Sequence, residues 1–165
     1  MKNIYLCGFM GCGKSYMGRK LAAMLDCTLV DLDAYIEEKE GMSIPEIFDK
    51  HGEPHFRKLE EKYIREMPEN SIVATGGGAI INPVTAETAR KAGTVIFLDA
   101  DFELCYKRIK GDTHRPLVMK NTKEQLKELF DKRREIYLEH SDFSVVSNNN
   151  GKGIAAEIME KLNLK

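Results

Sequence analysis

Eight residues near the start of the chain, Gly8-Phe9-Met10-Gly11-Cys12-Gly13-Lys14-Ser15, fit the phosphate-cradling pattern G-x-x-x-x-G-K-[ST] without deviation. The pattern needs a strand before it and a helix after it. Asn3-Ile4-Tyr5-Leu6-Cys7 reads as a buried strand, and Tyr16 to Leu25 reads as a helix with apolar residues at Met17, Leu21, Met24 and Leu25. Glycines let backbone N–H groups converge on phosphate oxygens, and the helix N-terminus adds partial positive charge. Lys14 is placed to reach the outer phosphates, and the Ser15 hydroxyl to sit on Mg²⁺. A nucleotide is therefore the expected ligand of the run Gly11, Cys12, Gly13, Lys14, Ser15 and Tyr16.

Strand and helix candidates alternate along the chain, which predicts an α/β fold with a parallel sheet covered on both faces. Strands are expected at 3–7, 28–32, 71–75, 94–98 and 143–147. Helices are expected at about 14–25, 33–40, 44–50, 54–66, 84–91, 101–110, 123–140 and 153–162. Two starts carry capping-box patterns, Ser43-Ile44-Pro45-Glu46 and Thr122-Lys123-Glu124-Gln125. The 165 residues suit one domain, 1–165. The polar stretch Gly111 to Asn121, with Pro116, reads as a mobile loop between helices, the kind of lid that excludes water from phosphoryl transfer.

A formal net charge of −1 gives no general attraction to nucleic acid or to a membrane, so anionic ligands must be held by local arginines and lysines. No apolar run approaches a membrane span, and no signal-peptide pattern opens the sequence. The four cysteines, Cys7, Cys12, Cys27 and Cys105, form no C-x-x-C pair, so reduced thiols in a cytoplasm are expected rather than structural zinc. His51 and His55 are separated by Gly52 and Pro54 and are not expected to hold a metal. His114 and His140 read as solvated.

The second strand ends Val30-Asp31-Leu32-Asp33. Alternation puts both carboxylates on one side, at the carboxyl end of a parallel strand, where open sheets place ligands. One can hold a water of a Mg²⁺ shell, and the other can accept a proton from an attacking hydroxyl. Asp33 also suits a helix cap, whereas Asp31 has no such local role. Arg57 and Glu60 share a helix face and can pair, either as a solvated surface pair or as a guanidinium held ready for a carboxylate. The third strand runs into Gly76-Gly77-Gly78-Ala79, either a tight turn or a close backbone approach to a ligand. Thr75 stands where many P-loop proteins have a metal-binding aspartate. Arg115 beside Pro116 is placed to neutralise a transferring phosphoryl group. Arg133 is left open between surface charge and site residue.

Taken together these segments resemble the shikimate kinases, in the nucleoside-monophosphate-kinase-like branch of P-loop proteins. The resemblance runs through the glycine loop, Asp31-Leu32-Asp33, Ser43-Ile44-Pro45-Glu46-Ile47-Phe48, Phe56-Arg57 with Glu60, Gly76-Gly77-Gly78-Ala79, Arg115-Pro116-Leu117, and Arg133 four before Tyr137. It implies a three-layer α/β P-loop kinase fold with a five-stranded parallel sheet in the order 2-3-1-4-5, substrate-binding helices at about 33–66 and a lid at about 111–122. It also implies phosphorylation of the 3-hydroxyl of shikimate by ATP with Mg²⁺, in a cytoplasmic monomer of aromatic amino acid biosynthesis. On this resemblance Asp33 is the base, with Lys14 and Arg115 acting on the phosphates. Asp31, through water, and Ser15 serve the metal. Arg57, Arg133, Gly76, Gly77 and Gly78 hold the acceptor. Ile44, Phe48, Phe56, Pro116 and Leu117 line the apolar side of the ring pocket, and Arg108 and Asn150 lie near adenine. The turn 147–153 departs from the family, because it lacks the proline many members carry there. The nearest alternative is a sister kinase for another small hydroxy acid such as gluconate. A small GTPase would need an N-K-x-D segment, which Asn121-Thr122-Lys123-Glu124 matches imperfectly and in the wrong place.

Overall fold

The structure, a computed structural model, describes residues 1–148 and 150–163. Five strands form one all-parallel sheet: β1 (Asn3–Cys7), β2 (Thr28–Asp31), β3 (Ser71–Ala74), β4 (Gly93–Asp99) and β5 (Phe143–Val146), in the order β2-β3-β1-β4-β5. The central strands read as continuous apolar runs because both of their faces are covered. Ile4, Leu6, Ile72, Val73, Val95 and Ile96 are all buried. Each such side chain contributes roughly 1.5–3 kcal/mol relative to an exposed position.

Helix α1 (Lys14–Leu25) packs against β1, β2 and β3, and α9 (Gly151–Lys161) packs against α1 and β5. Helices α5 (Pro83–Ala92) and α8 (Lys123–His140) pack against β4 and against each other. The step from β1 to β2 runs across the sheet in one direction and that from β3 to β4 in the other. Right-handed crossovers then set α1 and α5 on opposite faces. Between β2 and β3 lie α2 (Leu32–Glu40), α3 (Ile44–His51), α4 (Glu53–Tyr63) and a 3₁₀ turn at 64–66. Between β4 and α8 lie α6 (Phe102–Ile109) and α7 (Pro116–Lys120). Both expected capping boxes form, at Ser43 with Glu46 and at Thr122 with Gln125.

Four expectations change. The stretch 111–121 is not wholly loop: Pro116 sits in the first turn of α7, where its missing N–H costs nothing. Helix α2 begins one residue before 33, so Asp31 rather than Asp33 is its cap, with Asp31 Oδ1 accepting from Ala34 N at 3.1 Å. His140 is not solvated, since its Nδ1 lies 2.7 Å from the Ile80 carbonyl oxygen. Met24 is half-exposed rather than part of the core face of α1.

Candidate active site

All five strands point their carboxyl ends the same way, and the register places Asp31, Ala74 and Leu6 side by side. The segments that follow each strand therefore meet at one sheet edge, as open parallel sheets require.

The glycine loop after β1 is set by backbone angles that favour glycine: φ is +81° at Gly11 and +99° at Gly13. Gly13 is the N-cap of α1 and offers no side-chain cap, so the first N–H groups of the helix are left for a ligand. The loop is braced from behind. Arg108 Nη1 donates to the Gly11 carbonyl at 2.8 Å, and Ser147 Oγ donates to the Cys12 carbonyl at 3.1 Å. Lys14 Nζ lies over its own loop, donating to the carbonyls of Gly8 at 2.7 Å and Phe9 at 3.2 Å. Around this loop opens a cavity of about 580 Å³, lined by Gly11 to Tyr16 together with Arg108, Arg115 and Gly151. Asn150 is exposed and does not line it; its Oδ1 accepts from Gly153 N at 3.2 Å and caps α9. Its neighbour Asn149 lies outside the described residues.

A second cavity, of about 230 Å³, opens between β2, the helices α2 to α4, the triple glycine, the lid and α8. It brings together Asp31, Asp33, Arg57, Gly76, Gly77, Gly78, Arg115 and Arg133. Ile44, Phe48, Phe56, Pro116 and Leu117 line it too, and the rings of Phe48 and Phe56 lie 5.3 Å apart. Among the described residues, Arg115 alone lines both cavities.

The charged groups of this second cavity are built in. Arg57 Nη1 donates to Glu60 Oε1 at 2.7 Å, and its Nη2 donates to Glu53 Oε1 at 3.3 Å. Glu60 is 1% exposed, so this is not the solvated pair that spacing alone allowed. Arg133 is buried as well and lines this cavity, so it is not a surface charge. Tyr137, one turn further along α8, donates its hydroxyl to the Gly77 carbonyl. Asp33 Oδ1, Glu60 Oε2 and Arg133 Nη1 are buried and have no hydrogen-bond partner, and all three residues face this cavity. Buried polar atoms are seldom left without a partner, and these three gather at one cavity, whereas the unpartnered Ser71 Oγ and Thr85 Oγ1 lie elsewhere.

The triple glycine makes room for these groups. A Cβ on Gly76 would stand 2.5 Å from Asp33 Oδ1, and one on Gly78 would stand 2.4 Å from Arg57 Nη1. Burial pushes the Asp33 carboxyl up to about 6, helped by the neighbouring charge of Asp31 and opposed by Lys14, Arg115 and Arg57. Burial likewise pushes Glu60 up to about 7, against the pull of Arg57. Arg57 itself holds its proton more tightly than usual: burial opposes this, but the carboxylates of Glu60 and Glu53 outweigh it. A carboxyl that titrates near neutrality, beside a phosphate cradle, suits a general base.

The strand alternation that grouped Asp31 with Asp33 is not what unites them, because β2 stops at Asp31. They line one cavity because the helix turns back over the sheet edge directly after the strand. Glu60 and Tyr137 were not singled out as site residues. The pairing of Glu60 was legible from its spacing to Arg57, whereas the Tyr137 contact spans 60 residues and leaves no local signal. Thr75, in place of the usual aspartate, donates its hydroxyl to the Leu6 carbonyl at 2.8 Å and ties β3 to β1.

Comparison with known proteins gives a consistent result. The family model for shikimate kinase matches residues 10–163. A shikimate kinase of Persephonella marina is 47% identical over 139 residues, covering 83% of this chain and 84% of that protein. One of Geobacter metallireducens is 40% identical over 163 residues, covering 97% and 89%. Among solved structures, a shikimate kinase from Acinetobacter baumannii in complex with shikimate superposes with a TM-score of 0.93 at 35% identity, covering 99% of this chain and 93% of that one.

Proposed function

The chain belongs to the shikimate kinase family, and we propose that it transfers the γ-phosphoryl group of ATP to the 3-hydroxyl of shikimate, giving shikimate 3-phosphate and ADP in aromatic amino acid biosynthesis. One observation supports this most directly. Three buried polar atoms without partners, on Asp33, Glu60 and Arg133, surround a cavity that shares Arg115 with the phosphate loop. Such a cavity suits a small acceptor that carries both a carboxylate and hydroxyl groups.

In this reading Arg133 and Arg57 hold the acceptor carboxylate, and the backbone of Gly76 to Gly78 closes against the ring. Asp33 takes the proton of the attacking hydroxyl as its oxygen bonds to the γ-phosphorus and the bond to ADP breaks. Lys14 swings from its own loop onto the phosphates, and Arg115 adds charge where the two ligands meet. Ser15 and Asp31 offer hard oxygen donors that fit Mg²⁺. Among the described residues no group of three His, Cys, Asp or Glu forms a metal cage, so the remaining ligands would be phosphate oxygens and water, which suits this ion. When bound it neutralises phosphate charge. No described helix is long and apolar enough to cross a membrane, and we place the enzyme in the cytoplasm as a single-domain monomer.

The test is ADP release with MgATP across a panel of small hydroxy acids. Shikimate should exceed gluconate in kcat/KM by roughly 10²-fold or more, because a site with buried polar groups rejects acceptors that leave them unpaired. Equal turnover of gluconate would overturn the assignment.

A further inference from the structure

The lid carries a histidine that the sequence reads as solvated; the structure leaves its side chain 59% exposed and sets it beside a carboxylate. His114 Nε2 lies 3.0 Å from Glu37 Oε2. Glu37 is fixed in turn, since the same oxygen accepts from Ile44 N at 2.8 Å, at the start of α3. On the lid side, Asp112 organises the turn: its Oδ1 accepts from His114 N at 2.9 Å and its Oδ2 from Arg115 Nε at 3.0 Å. His114 and Glu37 both line the acceptor cavity, and His114 directly precedes Arg115, the residue common to both cavities.

We propose that His114 is a positioning residue for phosphoryl transfer: its contact with Glu37 straps the lid to the acceptor-binding helices and holds Arg115 between acceptor and nucleotide. The role of Arg115 in this statement rests on the function proposed above; the strap itself does not. The residues 111–115 form a short polar turn, entered at Gly111 with φ of +79°, and none of them is buried, so few contacts hold the segment in place. Its apolar anchor begins only at Pro116 and Leu117, where α7 packs against α3. Between Gly111 and that anchor, among the described residues, the His114 side chain alone reaches a polar group in another part of the fold. Losing it leaves Arg115 oriented by Asp112 alone, within a turn that has no hold on α2. Water then has a path to the γ-phosphoryl group, and the acceptor loses one wall of its cavity.

The test compares wild type with His114→Ala and His114→Gln, the latter keeping an N–H donor within reach of Glu37. Glu37 is left intact because it also caps α3. Kinetics are measured with MgATP and shikimate, ADP affinity is measured without acceptor, and amide hydrogen exchange is followed over 111–122 in the ligand-free proteins. His114→Ala should raise the shikimate KM about 2- to 5-fold, the scale of one exposed polar pair. It should raise acceptor-independent ATP hydrolysis relative to transfer, leave ADP affinity within about twofold, and speed exchange in the lid. His114→Gln should return each readout to within about twofold of wild type. Unchanged lid exchange in His114→Ala, or a glutamine variant no better than alanine, would overturn the strap. A wild-type enzyme that ignores shikimate would overturn the proposed function instead, and the exchange measurement would still decide the strap.

Discussion

The hydroxyl of Tyr137 on α8 donates to the carbonyl of Gly77 in the turn after β3, so the helix that carries Arg133 is fastened to the glycine segment across the acceptor cavity. Tyr137 is 1% exposed, and burial raises its pKa well above the usual phenol value, so it remains a donor at all working pH values.

Removing that hydroxyl tests the fastening. Tyr137→Phe keeps the ring, which packs on Phe97 at 5.1 Å between centroids, and leaves the Gly77 carbonyl without its donor. The variant should lose about 1–3 kcal/mol in denaturant unfolding. Its shikimate KM should rise more than its ATP KM, because Arg133 lies one turn away on the same face. Equal shifts in both constants would show that the contact serves only the fold.

Space at the triple glycine is the second test. None of Gly76, Gly77 and Gly78 has a positive φ, so their backbone does not require glycine. The nearby side chains do. A methyl group on Gly78 must displace the Arg57 guanidinium from its pair with Glu60. Gly78→Ala should raise the shikimate KM about tenfold or more, with ADP affinity unchanged, since loss of a charge-assisted contact is worth roughly 1.5–3 kcal/mol. A normal acceptor KM in a folded Gly78→Ala protein would remove Arg57 from acceptor binding.

These contacts show why some of the site was readable in the sequence and some was not. The strands were legible because a buried parallel strand must be a short continuous apolar run, and Ile72-Val73-Ala74 has no other plausible reading. The glycine loop was legible because its residue types are dictated by backbone geometry. Asp31 and Asp33 were grouped correctly, but their local roles were exchanged: one residue at the helix boundary decides which carboxylate caps α2 and which turns inward. Helix α7 is five residues long, too short to show a period, so its proline read as loop. Arg133 was ambiguous because a charged residue on a polar helix looks the same whether it meets solvent or a cavity, and the glycine segment it lies against is far along the chain.

With Asp33 as the proposed base, the acceptor step should be sensitive to acid. With its pKa pushed up to about 6, this carboxyl is ionised and able to accept a proton above that pH and loses this capacity below it. kcat/KM for shikimate should therefore fall as pH drops through about 6 in the free enzyme. Glu60, up to about 7, is a second titrating group in the cavity. In Glu60→Gln the limb near 6 should persist, because it belongs to Asp33. A profile for that variant flat from pH 5 to 8 would rule out Asp33 as the base.

The burial that raises the Asp33 carboxyl also costs stability, and the cost has a defined pH window. The carboxyl is raised in the fold from 3.8 to about 6. Below about 4 it is protonated in both folded and unfolded chains and imposes no penalty. Between about 4 and 6 the unfolded chain ionises this carboxyl freely while the fold holds it protonated, because it is covered and its Oδ1 has no partner, so the cost grows across that window and is complete above it. Asp33→Asn removes that charge, so the variant should lose most turnover yet be more stable than wild type at pH 8, by on the order of 1–3 kcal/mol. At pH 4 most of the difference should vanish, because wild-type Asp33 is then protonated in the fold and substantially so in the unfolded chain. Denaturant unfolding of both proteins at the two pH values measures this directly. A variant less stable than wild type at pH 8, or a gain of equal size at both values, would show that Asp33 is not held at the expense of the fold.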